Sequence, residues 1–361
     1  MTVRLAIEHF GKALVTPSRL TFALMMATFA GLLAIGCWGI TAEFLAGPSG
    51  RFLARDSEDN YAFTTREALQ LALLSKARAE PRLYVLGDSI VAQAFVGEED
   101  MAGMLARETG HAWGVSILTT GGQDPLSEAA LADFATRRTP GIVVIPLYLT
   151  RFQYSRQDLI DLYKLRPIGL SSAWADRQVV ALKGSPDPRI GIYAIDNHKF
   201  LLRNLPAFGW RFATGRAAAR STYGYVRFRR PDELKRQRDV VLTALRKGAI
   251  DTEGDAARIL AHTTRALIER GNTVIFVEAP FNEKIFETAR DRALYEDYLR
   301  KTPAFAASLG ARYCPLGRTD LPTTMKFADY FHQVDPATQV FFSRSLARCV
   351  VRAAAERSGH D

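Results

Sequence analysis

Short apolar runs alternate with helical stretches through most of this chain, and each run stops at small or turn-forming residues. Leu83-Tyr84-Val85-Leu86 ends in Gly87-Asp88-Ser89, and Val115-Ser116-Ile117-Leu118 leads to Gly121-Gly122. Ile142-Val143-Val144-Ile145 ends near Pro146, Val274-Ile275-Phe276-Val277 stops at Ala279-Pro280, and Ala311-Arg312-Tyr313-Cys314 forms a short fifth run. Helical patterns over 90–109, 126–138, 255–270, 284–309 and 336–357 separate or follow these runs. Apolar runs of strand length, each followed by a helix, predict a parallel sheet with helices on both faces. The expected class is therefore α/β, a three-layer α/β/α domain. Ligands of such sheets sit beyond the carboxyl ends of the strands, which directs attention to 87–89, 121–122, 147–151 and 280–282.

A second constraint precedes the sheet. From Leu20 to Ala42 there are 23 residues without a charge. As a helix at about 1.5 Å per residue this run spans about 34 Å, enough for a bilayer core of about 30 Å. Arg4, Lys12 and Arg19 precede it against Glu8, whereas Glu43, Arg51, Arg55, Asp56, Glu58 and Asp59 follow. That asymmetry places the N-terminus in the cytoplasm and everything after residue 43 outside. The run reads as an uncleaved, single-pass anchor in the inner (cytoplasmic) membrane, with a periplasmic or otherwise extracytoplasmic C-terminal domain. Three other readings compete: a buried core helix, a cleaved signal peptide, and a lipoprotein-type signal at Ala34-Ile35-Gly36-Cys37. Length, a weak cleavage pattern and the continuation of the run past Cys37 weigh against each in turn.

The resulting plan has a tail and transmembrane anchor over 1–42 and a linker and helix over 43–80. The α/β domain follows over 81–361, with an insert at 152–250. Three cysteines are too few for a disulfide scaffold and lack metal-ligand spacing. Outside the cytoplasm, Cys314 and Cys349 either pair or stay as two buried thiols. Walker A, GxGxxG and HExxH sequences are absent, so neither cofactor nor metal is expected.

Two short motifs carry chemistry. Ser89, at a strand-to-helix turn, can expose its Oγ and offer its backbone N–H to an oxyanion. Asp329-Tyr330-Phe331-His332 lies just before the last helix. A histidine acting as base for a serine needs an orienting carboxylate, and Asp and His three apart in a loop supply both. Either motif alone is common; one opening the α/β unit and the other closing it is much more specific.

With these residues the chain resembles the SGNH, or GDSL-type, hydrolase superfamily, over roughly 81–151 and 271–355. The resemblance implies Ser89 as nucleophile, His332 as base and Asp329 as its partner. It also implies an oxyanion hole from the N–H groups of Ser89 and Gly122, the latter in Thr119-Thr120-Gly121-Gly122-Gln123-Asp124. The family often carries Gly-x-Asn-Asp after the third strand; here the chain reads Leu147-Tyr148-Leu149-Thr150-Arg151. Thr150 occupies the nearest place to the missing Asn, and loss of such a donor costs on the order of 10²–10³ in rate. Arg151 and Asn282 are candidate substrate contacts or replacement donors. Asp88 is a further candidate at the substrate, its first expected role being to fix the turn.

The anchor and the incomplete third block are similar to membrane-anchored, DltD-like and alginate-acetylation-like members of the cell envelope, which work with a membrane-bound O-acyltransferase. The resemblance therefore implies a serine esterase or O-acyltransferase acting on acyl (acetyl) esters of a cell-surface polysaccharide. The rival expectation is a non-catalytic, degenerate SGNH-fold envelope protein that binds glycan or scaffolds an acyltransferase.

Charge adds a last clue. The net +9 is concentrated: 201–240 alone carries +7. Its basic residues (Arg203, Arg211, Arg216, Arg220, Arg227, Arg229, Arg230, Lys235, Arg236, Arg238) alternate with Phe208, Trp210, Phe212, Tyr223, Tyr225 and Phe228. Three readings stand: a solvated cap, a surface for anionic headgroups or a membrane partner, and a cleft wall for an anionic or sugar polymer. For an exported domain, nucleic acid is not expected as a partner.

Overall fold

In a computed structural model, the structure describes residues 19–53, 60–74, 80–148, 150–165, 169–217, 230–246, 251–279, 281–316, 327–333 and 335–358. The expected cytoplasmic tail lies outside these residues, as do Arg220, Tyr223, Tyr225, Arg227, Phe228 and Arg229 of the basic stretch.

The chain runs α1 (Arg19–Gly39), α2 (Ala42–Ala46), a 3₁₀ turn (Pro48–Phe52), α3 (Tyr61–Leu73), β1 (Arg82–Gly87), α4 (Ser89–Ala94), α5 (Glu98–Thr109), β2 (Gly114–Thr119), α6 (Pro125–Ala135) and β3 (Ile142–Leu147). It continues through α7 (Arg156–Leu165), α8 (Ala173–Ala181), α9 (Tyr193–Asp196), α10 (His198–Thr214), α11 (Pro231–Arg246), α12 (Asp255–Glu269), β4 (Thr273–Glu278), a 3₁₀ turn (Glu283–Ile285), α13 (Ala289–Ser308), β5 (Arg312–Cys314) and α14 (Pro336–Ser358).

The five strands form one parallel sheet in the order β2-β1-β3-β4-β5. Strand residues alternate between two cores. Tyr84, Leu86, Val143, Ile145 and Phe276 pack with α3, α6, α12 and α13, whereas Leu83, Val85, Val144 and Ile275 pack with α4, α5 and α14. Both faces are thus covered, which is why β1, β3 and β4 are apolar almost without interruption.

The strand order reverses between β1 and β3, so the crevice at that switch point is the place where this topology leaves room for a ligand. The pairing shows the opening directly. Strands β1 and β3 pair only as far as Val85 and Val144, while β3 and β4 pair on to Leu147 and Glu278. Strand β3 ends one residue after Pro146, as expected. Proline has no N–H to donate, and it stands where pairing with β1 has already ceased.

Other boundaries move for local reasons. The single helix expected over 90–109 is two helices. Gly97 caps the second, whose first turn holds Glu98, Glu99 and Asp100 at the positive end of the helix dipole. Within 43–80, expected as a linker and helix, the described segments 43–53 and 60–74 carry core side chains: Leu45, Leu53, Ala68 and Leu69 are buried, and Thr64 Oγ1 donates to Thr119 O at 2.8 Å. The Cys314–Cys349 alternative resolves to a disulfide joining β5 to α14.

Helix α1 presents Leu20, Phe22, Leu24, Met25, Met26, Phe29 and Trp38 outward. The side chains of Leu32, Leu33, Ile35 and Cys37 lie outside the described set. Among the described residues no helix is long and apolar enough to cross a membrane.

Candidate active site

Strand β1 delivers Gly87-Asp88-Ser89 to the mouth of the crevice. Gly87 has φ of 138°, and a Cβ there would lie 2.6 Å from Val91 Cγ2 and 2.9 Å from Pro146 Cγ. Only glycine accepts both that backbone and that closeness. Asp88 then caps α4, its Oδ1 accepting from Ile90 N at 2.9 Å. Ser89 is consequently the first residue of a helix that starts at the carboxyl end of β1. The Asp88 carboxyl is buried in the turn, facing Arg151 and Tyr148. Burial pushes its pKa up, while Arg151, the Ile90 N–H, His332 and the Tyr148 hydroxyl oppose that rise.

The partner loop comes from the far end of the chain. An antiparallel bridge joins Phe327 to Gln333, and Ala328 N donates to His332 O at 2.9 Å, folding 327–333 into a tight turn. Inside it, Asp329 Oδ1 accepts from Phe331 N and His332 N, each at 2.7 Å. Oδ2 accepts from His332 Nδ1 at 2.8 Å. The other ring nitrogen, Nε2, lies 3.0 Å from Ser89 Oγ.

Electrostatics fix the proton positions. Burial pushes the Asp329 carboxyl up, but the hydrogen bonds and charge of the His332 ring and two backbone N–H groups outweigh it. They hold the carboxyl at about 2. Asp329 is therefore ionised and can only accept, so Nδ1 carries the hydrogen; in the neutral ring that leaves Nε2 as the nitrogen able to accept from Ser89. The arrangement can take a proton from the serine hydroxyl and return it.

Two supports were not visible in sequence reasoning. Gln93 O accepts from Gln339 Nε2 at 2.9 Å and from Gln333 Nε2, tying the end of α4 to the histidine loop and to α14. Gln123 Oε1 accepts from Gly87 N at 2.7 Å, while its Nε2 donates to Leu118 O at 2.9 Å, binding the ends of β1 and β2 together. The signal available was position alone: Gln333 follows His332, and Gln123 follows Gly122.

The remaining expected residues fall in several places. Gly122 sits in the turn after β2 with φ of 61°, and Thr150 is half-buried in the turn after β3. Arg151, expected to face substrate, is instead 0% exposed. It pairs with buried Glu128 on α6 and donates to Tyr148 Oη at 3.0 Å and to Gln123 O at 3.2 Å. A guanidinium this deep must be matched by a carboxylate, and its burial keeps it from lying on the cleft surface as a substrate contact. Asn282 caps the 3₁₀ turn, its Oδ1 accepting from Lys284 N at 3.1 Å, and its backbone N donates to Tyr330 O at 2.9 Å. It steadies the histidine loop through the main chain.

Glu278, at the end of β4, is buried and accepts from Tyr295 Oη and Tyr313 Oη at 3.0 and 3.2 Å. His198 is exposed and bonded to Ile195 O at 2.8 Å, apart from this cluster. Among the described residues no group of three or more His, Cys, Asp or Glu side chains is arranged to hold a metal ion.

Neither the models of known protein families nor the curated protein sequences contain a match to this chain.

Proposed function

We propose that the protein is a membrane-anchored, exported serine esterase or O-acyltransferase of the SGNH type. It acts on acyl esters, acetyl among them, of a cell-surface polysaccharide. The observation that carries this reading is the line Ser89 Oγ–His332 Nε2 at 3.0 Å and His332 Nδ1–Asp329 Oδ2 at 2.8 Å, set at the sheet's switch point. His332 Nε2 takes the hydroxyl proton as Ser89 Oγ bonds to the acyl carbon, and the carbonyl electrons move onto oxygen. The N–H groups of Ser89 and Gly122, with Thr150 nearby in sequence to β3, are the donors assigned to that oxyanion. Collapse expels the alkoxide, which takes the proton back from Nε2. The acyl group then passes to water or to a sugar hydroxyl, with His332 again acting as base.

The anchor part of the reading is supported by the 23 uncharged residues of Leu20–Ala42 and the outward apolar side chains of α1. A membrane-bound O-acyltransferase is the partner that would supply acyl groups across the bilayer.

The test is labelling with an organophosphonate serine probe together with turnover of a small acetyl ester. Wild type should label and turn over; Ser89→Ala should do neither. An equal rate in Ser89→Ala would remove the nucleophile assignment. A well-folded wild type inert to both reagents would favour the non-catalytic, glycan-binding alternative, for which the lack of an Asn after β3 speaks.

A further inference from the structure

Helix α10 has two unlike sides. One buries Phe200, Leu201 and Asn204 against the domain. On the other, Leu202 is 67% and Trp210 70% exposed, with Pro206, Gly209 and Ala213 exposed between and beyond them. Spacings of three and four residues put these positions on one stripe. From His198 to Ala217 the chain holds Lys199, Arg203, Arg211 and Arg216 and no acidic residue. An apolar stripe with a large aromatic and a basic flank, of which Lys199 is paired with Asp187 at 3.0 Å, is the make-up of a helix lying in a lipid interface, where the Trp ring suits the headgroup level.

The position of α10 names the same occupant. Its rings Phe208 and Phe212 pack on Phe44 and Phe52 at centroid distances of 6.1 and 5.6 Å. Those two phenylalanines belong to α2 and the 3₁₀ turn, the segment directly following α1. Helix α9, immediately before α10, packs on α1 itself. At the end of α1, Trp38 is 69% exposed. Two exposed tryptophans thus stand on elements joined where the apolar helix gives way to the domain.

We propose that the exposed stripe of α10 rests in the lipid surface beside α1, so that the domain is held against the membrane at two places. The proposal rests on the reading of α1 as an anchor. The chemistry called for is an interface of acyl chains and anionic headgroups, with the basic flank adding attraction to anionic lipid.

The experiment uses the full chain reconstituted in vesicles of phosphatidylcholine and phosphatidylglycerol, with bromine near the headgroup end of one acyl chain. Bromine quenches tryptophans that touch it, and the other two, Trp113 and Trp174, are buried in the protein. In Trp38→Phe, brominated vesicles should lower emission relative to unbrominated ones through Trp210. Leu202→Glu added to that variant should abolish the loss without altering the far-ultraviolet circular dichroism. In Trp210→Phe, quenching through Trp38 should persist.

Equal emission from Trp38→Phe in both vesicles overturns the proposal; the stripe then faces water, another protein or a second copy. If Trp210→Phe is also unquenched, the anchor reading fails as well. Quenching in Trp210→Phe alone leaves that reading standing without the second contact.

Discussion

Gln123 and Gly87 are joined at the mouth of the sheet: the amide oxygen of one accepts the backbone N–H of the other at 2.7 Å. The bond holds Gly87 in a conformation with φ of 138°, from which the chain turns into α4 and Ser89.

Gly87→Ala is therefore expected to cost about 1–3 kcal/mol in backbone strain alone, with further cost from the contacts at Val91 and Pro146. Denaturant unfolding should show the loss. Ester turnover should fall further than stability does, because the displaced atom lies two residues from Ser89. An alanine variant as stable and as active as wild type would show that the turn tolerates a side chain.

Asp329→Asn keeps the shape of the loop and removes the acceptor that makes His332 Nδ1 the protonated nitrogen. Turnover should drop by on the order of 10⁴-fold, because the wrong tautomer then faces Ser89. The same variant reads out acid stability. A carboxyl lowered to about 2 stabilises the fold above its unfolded range near 4 and loses that contribution as pH falls from there to about 2. The stability gap between wild type and Asp329→Asn should thus be full at neutral pH and close over that acid window. A gap independent of pH would contradict the ionised assignment.

The buried pair Arg151–Glu128 predicts an asymmetry. Removing one partner, as Arg151→Met or Glu128→Gln, strands a group that has no water to turn to and should cost about 3–5 kcal/mol. Replacing both by apolar residues of similar volume should cost much less. Urea unfolding of the two singles and the double forms the cycle. Additive losses would mean that the two side chains do not depend on one another.

Cys314 and Cys349 close a loop with a sequence separation of 35. Loop-closure entropy of that size corresponds to about 3–4 kcal/mol. Cys314→Ser/Cys349→Ser should show that decrease in unfolding free energy, and reduction of wild type should reproduce it. Unchanged stability after complete reduction would argue against the bond.

What the sequence made legible follows from the range of the interactions. The strands, the Gly-Asp-Ser turn and the Asp-x-x-His loop are local patterns, and their elements appear where periodicity and turn chemistry put them. The break before Glu98 was also local, since Gly97 and three acids form a helix start that the long apolar pattern overshadowed. The role of Arg151 was not legible. Its partner Glu128 lies on another helix, and a lone arginine at a strand end looks the same whether it faces inward or outward. The Gln333–Gln93 tie spans 240 residues, and neither glutamine carries a mark of its own. Residues 43–53 resembled a tether because of Pro48-Ser49-Gly50, yet Leu45 and Leu53 had somewhere to bury once α3 lay on the sheet.

The sequence separation of 243 between Ser89 and His332 bears on timing. During synthesis the serine emerges well before its histidine, which follows all five strands of the sheet. The two meet only when β1, the closing loop and α14 have all docked, a contact of very high sequence separation and hence slow to form. Whatever these side chains do together, an unfinished chain cannot begin it, and recovery of probe labelling after denaturation would therefore time the last step of folding.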